Sequence, residues 1–201
     1  MLILRSSPPS PFGRKIKIAA AVLGLTDRIK IEMTDTNDPS DSIRKQNPLG
    51  KIPALILEDG SALFDSPVIL EYLDTLAGGG KILPREGNAR WDVLRLHAIA
   101  DGIMDAGILL VYEKRFRPEE HWVAKWTDYQ SEKITRTLGV LEAAPPALDA
   151  TPNMGQIGLA CALGYLDLRF EGKWRAKYPK LVAWLDDFAA KIPSFAATKA
   201  H

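Results

Sequence analysis

The chain has 201 residues, 46% hydrophobic and 25% charged, which is ordinary globular composition and excludes a disordered chain. Its 26 Lys and Arg are matched by 25 Asp and Glu, so no basic excess exists to grip a polyanion, and nucleic acid is not the expected partner. The single cysteine, Cys161, excludes an internal disulfide and suits a reducing compartment.

The start, MLILRSSPPSPF, lacks the charged segment and long apolar stretch of a signal peptide, and no apolar run reaches the ~18 residues of a membrane span. A cytoplasmic protein with no membrane partner is expected. LILR then reads as a short buried strand, and Ile16, Ala19, Ala20 and Leu23 place a helix over about 12–24, with Pro11 at its start and Gly24 at its end. RIKIEM alternates polar and apolar residues as a half-buried strand does. PALIL and SALF, separated by Asp59–Gly60, read as two strands joined by a tight turn. Val68, Ile69, Tyr72, Leu73 and Leu76 trace the stripe of a helix that begins between Asp65 and Pro67 and ends at Gly78–Gly80.

From Glu86 onward strand signals vanish. Amphipathic stretches over roughly 86–115, 119–143, 154–170 and 178–191 are punctuated by Pro118, Pro145–Pro146, Pro152 and Pro179. The predicted organisation is an α/β domain (βαβ, a loop, then ββα) over 1–80, followed by an all-helical bundle over 86–201.

Asn47 to Leu73 is the most informative segment. Pro53 cannot donate to a ladder, so it belongs at a strand start or edge. A cis Ile52–Pro53 bond would leave the backbone of Ile52 free to pair with an extended peptide. Asp65 and Ser66 open the following helix. They either cap its free N–H groups or, with the positive end of the helix, receive a charged ligand.

This stretch resembles the glutathione-binding segment of the cytosolic glutathione transferases, through Asn47, Pro48, Lys51, Ile52, Pro53, Asp65, Ser66, Tyr72 and Leu73. The C-terminal YPKLVAWLDDFAAKIPSF is also similar to that family's last helix, so the resemblance covers essentially the whole chain, with bacterial members as the nearest pattern. It implies a thioredoxin-like N-terminal domain, a homodimer, and glutathione as co-substrate. Ile52 would pair with the cysteinyl backbone, Asp65 and Ser66 would hold the γ-glutamyl end, and Lys51 would reach the glycyl carboxylate. Asp65 stands where Glu is commoner.

The resemblance also implies a thiol-stabilising residue in RSSPPSPFGRK. Ser10 sits at the helix start and is the first choice; Ser7 is the second, and Ser6 the remaining hydroxyl. For Ser10, helix capping is the competing role. Asp101, followed by Gly102, matches an acid that reaches across the dimer toward the γ-glutamyl ammonium, with Asp105 one turn on; a solvated helix acid is the alternative. Phe12, Met104, Tyr112 and Phe116 are candidates for an apolar electrophile pocket, or for core.

Asn153 and Gln156 take the places of the family's Ser/Thr-x-x-Asp and predict a capping box. A serine hydrolase is excluded for want of a histidine partner among His97, His121 and His201, and a thioredoxin-type redox centre for want of Cys-x-x-Cys. No metal or nucleotide motif is present. The implied activity is conjugation of the glutathione thiolate to a small, largely apolar electrophile. Non-catalytic binding and glutathione-dependent peroxide or disulfide reduction are the alternatives.

Overall fold

In the computed structural model, residues 1–200 are described; His201 lies outside them. Strand β1 (Leu2–Ser6), helix α1 (Pro11–Val22) and strand β2 (Ile29–Met33) form the βαβ unit, with β1 and β2 parallel. The segment expected as a loop contains a short helix, α2 (Ile43–Gln46), before β3 (Ala54–Ile56), β4 (Ala62–Leu63) and α3 (Ser66–Leu76). Both later pairings are antiparallel, and the sheet order is β2-β1-β3-β4, which is the thioredoxin-like arrangement.

The helical part follows as α4 (Gly87–Phe116), α5 (Ala124–Ala143), α6 (Met154–Phe170), α7 (Pro179–Lys191) and α8 (Pro193–Ala197). Helix α5 begins five residues later than its pattern suggests. A 3-10 turn at Glu119–His121 intervenes, and Glu113 on α4 accepts the Val123 N–H (3.2 Å), which sets the helix start.

Helix α6 is buried on every side from Met154 to Leu163, as befits a central helix rather than an amphipathic surface one. Gly155 permits its close approach to α4, because a Cβ there would lie 2.8 Å from the Val93 carbonyl oxygen. The predicted capping box is present: Asn153 accepts the Gln156 N–H (3.0 Å) and Gln156 accepts the Asn153 N–H (2.9 Å).

Helix α1 is wedged between α3 and the helical part, where it meets α6, α4 and α8. It is therefore buried on more than one face, Arg14 and Lys15 included. The passage to α4 is tied down by Asp74, whose buried carboxylate accepts N–H groups of Gly80, Lys81 and Ile82 (2.7–2.9 Å). Gly78, Gly79 and Gly80 there all have positive φ, which glycine adopts without a Cβ clash.

Candidate functional site at the sheet end

The strand register brings the sequence-predicted residues to one end of the sheet. Arg5 pairs with Ala54, so the next step sets Ser6 at the end of β1 beside Pro53 at the start of β3. Leu55 pairs with Leu63, so Asp65, two residues past the end of β4, leaves the sheet at the end where Pro53 precedes β3. The Ile52–Pro53 peptide is cis, as is Phe64–Asp65. The loop before them is shaped by Asn47, almost wholly buried: its Oδ1 accepts the Leu49 N–H (3.0 Å) and its Nδ2 donates to the Lys51 carbonyl (2.9 Å). Lys51 itself is exposed.

Asp65 occupies the N-cap position of α3 yet makes no capping hydrogen bond. Its carboxylate is exposed at the helix end whose first N–H groups have no partner within the helix. Ser66 is the first residue of the helix and is buried.

Ser10 is the N-cap of α1, accepting the Gly13 N–H (3.1 Å), while its own N–H donates to the Ser7 carbonyl (3.2 Å). Capping uses the oxygen as acceptor and leaves the hydroxyl proton free to donate. Ser6 is a different matter. It is 1% exposed and packs against Gly13, where a Cβ would lie 2.1 Å from its Oγ.

Behind Ser10 lies a charged group that the sequence pattern did not single out. The Lys15 ammonium, wholly buried, donates to Asp101 Oδ1 (2.5 Å) and His97 Nε2 (3.0 Å), and sits 5.2 Å from the Phe12 ring centre. Burial pushes the Lys15 ammonium down and the Asp101 carboxyl up, and each opposes the other's shift. His97 is pushed down to about 3 by burial and then by Lys15, so it is a neutral imidazole accepting from lysine. Asp101 Oδ1 is thus paired within its own chain, while the side chain stays 17% exposed. Asp105 remains exposed; burial raises it, and the fields of Lys51 and Lys15 lower it.

The four residues expected to line an electrophile pocket are not together. Met104 is wholly buried in the core, because its position on α4 faces α6. Phe12 packs against the same core, while Tyr112 and Phe116 form an edge-to-face pair (5.1 Å) on an exposed stretch of α4. A cavity of about 440 Å³ does open beside Ser10, bounded by Pro8, Arg14, Tyr165, Leu168 and Phe195. Helix stripes alone did not point to it, since its walls come from α1, α6, α7 and the C-terminal segment. Among the described residues no cluster of His, Cys, Asp and Glu is placed to hold a metal, and no helix is long and apolar enough to cross a membrane.

Comparison with known proteins accords with this geometry. Residues 9–76 match the family model of the glutathione S-transferase N-terminal domain, and residues 115–187 match that of the C-terminal domain. The chain is 36% identical to the GST-like protein YibF of Escherichia coli K12 over 98% of its own length and 97% of that protein's. A glutathione transferase family member from Pseudomonas fluorescens Pf-5 with bound glutathione superposes with a TM-score of 0.91 at 40% identity, covering all of both chains. A second structure from that organism, with bound S-(propanoic acid)-glutathione, gives a TM-score of 0.89 at 41% identity, again over both whole chains.

Proposed function

The chain belongs to the glutathione S-transferase family, and from that premise we propose that it binds glutathione at the sheet end and conjugates its thiolate to a small electrophile. The observation that supports this reading is the exposed Asp65 carboxylate, which makes no capping bond and stands at the sheet end where Pro53 enters β3 and β1 leaves toward Ser10. Asp65 takes the γ-glutamyl ammonium. Ser66 and the N–H groups of α3 take the adjacent carboxylate, the Ile52 backbone pairs with the cysteinyl residue, and Lys51 reaches the glycyl carboxylate. Residues 1–80 act as the glutathione-binding domain and 86–201 as its helical partner. The Pseudomonas relatives with bound glutathione and bound S-(propanoic acid)-glutathione support the ligand class.

A free thiol titrates near ~8.5, so lowering it by ~2 units takes about 2.7 kcal/mol of selective thiolate stabilisation. The Ser10 hydroxyl, still free to donate while it caps α1, supplies a hydrogen bond to sulfur, and the helix N-terminus adds its field. The thiolate then forms the new S–C bond, and the leaving group departs with its bonding electron pair. A homodimer working in the reducing cytoplasm fits this role.

The capping bond of Ser10 favours one second reading, a glutathione-binding protein without turnover. Turnover with a panel of electrophiles, alongside melting with and without glutathione, separates the two. Ser10→Ala is expected to cut turnover while sparing glutathione affinity. Unchanged turnover removes Ser10 from the reaction, and a glutathione-stabilised protein inert to every electrophile leaves binding alone.

A further inference from the structure

We propose that the acceptor seated beside Ser10 carries a carboxylate, received by the Arg14 guanidinium; this rests on the transferase reading above. Arg14 bounds the same cavity as Ser10 and is only 7% exposed, yet among the described residues no acid lies within ion-pair distance of it. A buried charge with no counter-ion among the described residues is costly, so one that is kept points to an anion from outside.

The guanidinium is held in place by neutral groups. Its Nη2 donates to the Phe195 carbonyl (2.5 Å), its Nε to Thr198 Oγ1 (3.3 Å), and it lies 4.0 Å above the Phe195 ring centre. Among the described residues Nη1 makes no hydrogen bond, and it occupies the space left by Gly164, where a Cβ would be 2.6 Å away. The acid of the cavity wall whose field reaches Arg14, Asp167, is held by other partners: Arg175 grips it through two bonds (2.9 and 2.7 Å) and Trp174 Nε1 donates a third (2.8 Å). Lys199 adds another cation to the wall, and Asp186, the remaining acid there, lies 3.9 Å from Arg175.

Arg14 follows Ser10 by one helical turn, which sets the two about 6 Å apart along the axis. A planar guanidinium with an unused prong suits a carboxylate far better than it suits a neutral group.

Inert thioethers test this without turnover. Affinities of S-(3-carboxypropyl)glutathione and its neutral isostere S-(3-carbamoylpropyl)glutathione are measured by calorimetry on the wild type, Arg14→Gln and Arg14→Lys. The wild type is expected to prefer the carboxylate by at least about tenfold, with the preference weakening as salt rises. Arg14→Gln loses that preference, and Arg14→Lys, which keeps the charge without the planar fork, retains only part of it. Equal affinities in the wild type overturn the proposal even if Arg14→Gln fails to fold, and so does a preference that survives in a folded Arg14→Gln. Failure of unsubstituted glutathione to bind overturns the transferase reading itself, and with it this one.

Discussion

The Nζ of Lys15 on α1 lies 2.5 Å from Oδ1 of Asp101 on α4, joining the first helix of the α/β part to the first helix of the bundle. The lysine is wholly buried and the aspartate side chain 17% exposed, so water screens neither end well. Removing one partner strands the other. Asp101→Ala is expected to destabilise the protein by about 3–5 kcal/mol in urea unfolding, because the ammonium is left buried without its counter-ion. Lys15→Met combined with Asp101→Leu should recover most of that loss, since a well-packed apolar pair avoids the desolvation cost. A double variant as unstable as the single would show that the pair is worth more than its replacement.

His97 makes stability pH-dependent in a definite direction. Its folded value, about 3, lies below the ordinary value of 6.5, so the unfolded chain binds the proton more readily. Its contribution is complete above pH 6.5 and is lost as pH falls toward 3. The expected loss between pH 6.5 and 5 is about 1–2 kcal/mol. Asp101, raised by burial, contributes a slope of the opposite sign, so the difference between wild type and His97→Gln isolates the histidine. NMR titration gives the direct check: an imidazole that protonates near pH 6 would contradict the buried Lys15 contact.

Much of the architecture was legible because its signals are local. The stripes through Ile16, Ala19 and Ala20 and through Ile69 and Leu73, and the Asn153–Gln156 box, each depend on residues within a turn or two of one another. The same holds for Pro53 and Asp65, which lie at the ends of neighbouring strands. What stayed hidden depends on which element covers which. Met104 and a pocket residue share one periodicity, and only α6 lying on that face decides for the core. Arg14 and Lys15 look like solvated helix charges until α4, α6 and α8 close over α1. Asp74 resembles any helix acid until the chain folds back and presents three N–H groups to it.

Gly13 illustrates how tightly the Ser10 turn is packed. A Cβ at that position would sit 2.1 Å from Ser6 Oγ but 3.2 Å from Ser6 Cβ. Gly13→Ala is therefore expected to cost about 1–3 kcal/mol by overpacking and to lower turnover by displacing the Ser10 cap. Adding Ser6→Ala removes the nearer atom and should restore much of both. Thermal melts and turnover of the single and double variants measure the coupling, and strictly additive losses would mean that the clash is relieved elsewhere.

Cys161 lies in the middle of α6 with no exposed surface, and burial pushes its thiol up to about 11. The thiolate is the reactive form, so both access and ionisation work against modification. Native protein at pH 8 should resist iodoacetamide for hours and label fully in urea. Rapid native labelling would show that α6 opens locally.

Asn47 gives the sharpest test of the ligand groove, because it acts on the loop backbone and lies outside the proposed ligand contacts. Its side chain joins the Leu49 N–H to the Lys51 carbonyl, and so holds the stretch that delivers Lys51 and Ile52 to the sheet end. Asn47→Ala leaves both backbone groups to find new partners, at an expected cost of about 1–3 kcal/mol in stability. Glutathione affinity should fall by about tenfold, since the Ile52 backbone and the Lys51 ammonium lose their fixed placement. Asn47→Asp keeps the acceptor for Leu49 but not the donor to Lys51, so it should fall between Ala and wild type in affinity. If Asn47→Ala bound glutathione as tightly as wild type while losing stability, the loop would be a structural brace and the peptide-pairing role of Ile52 would be wrong.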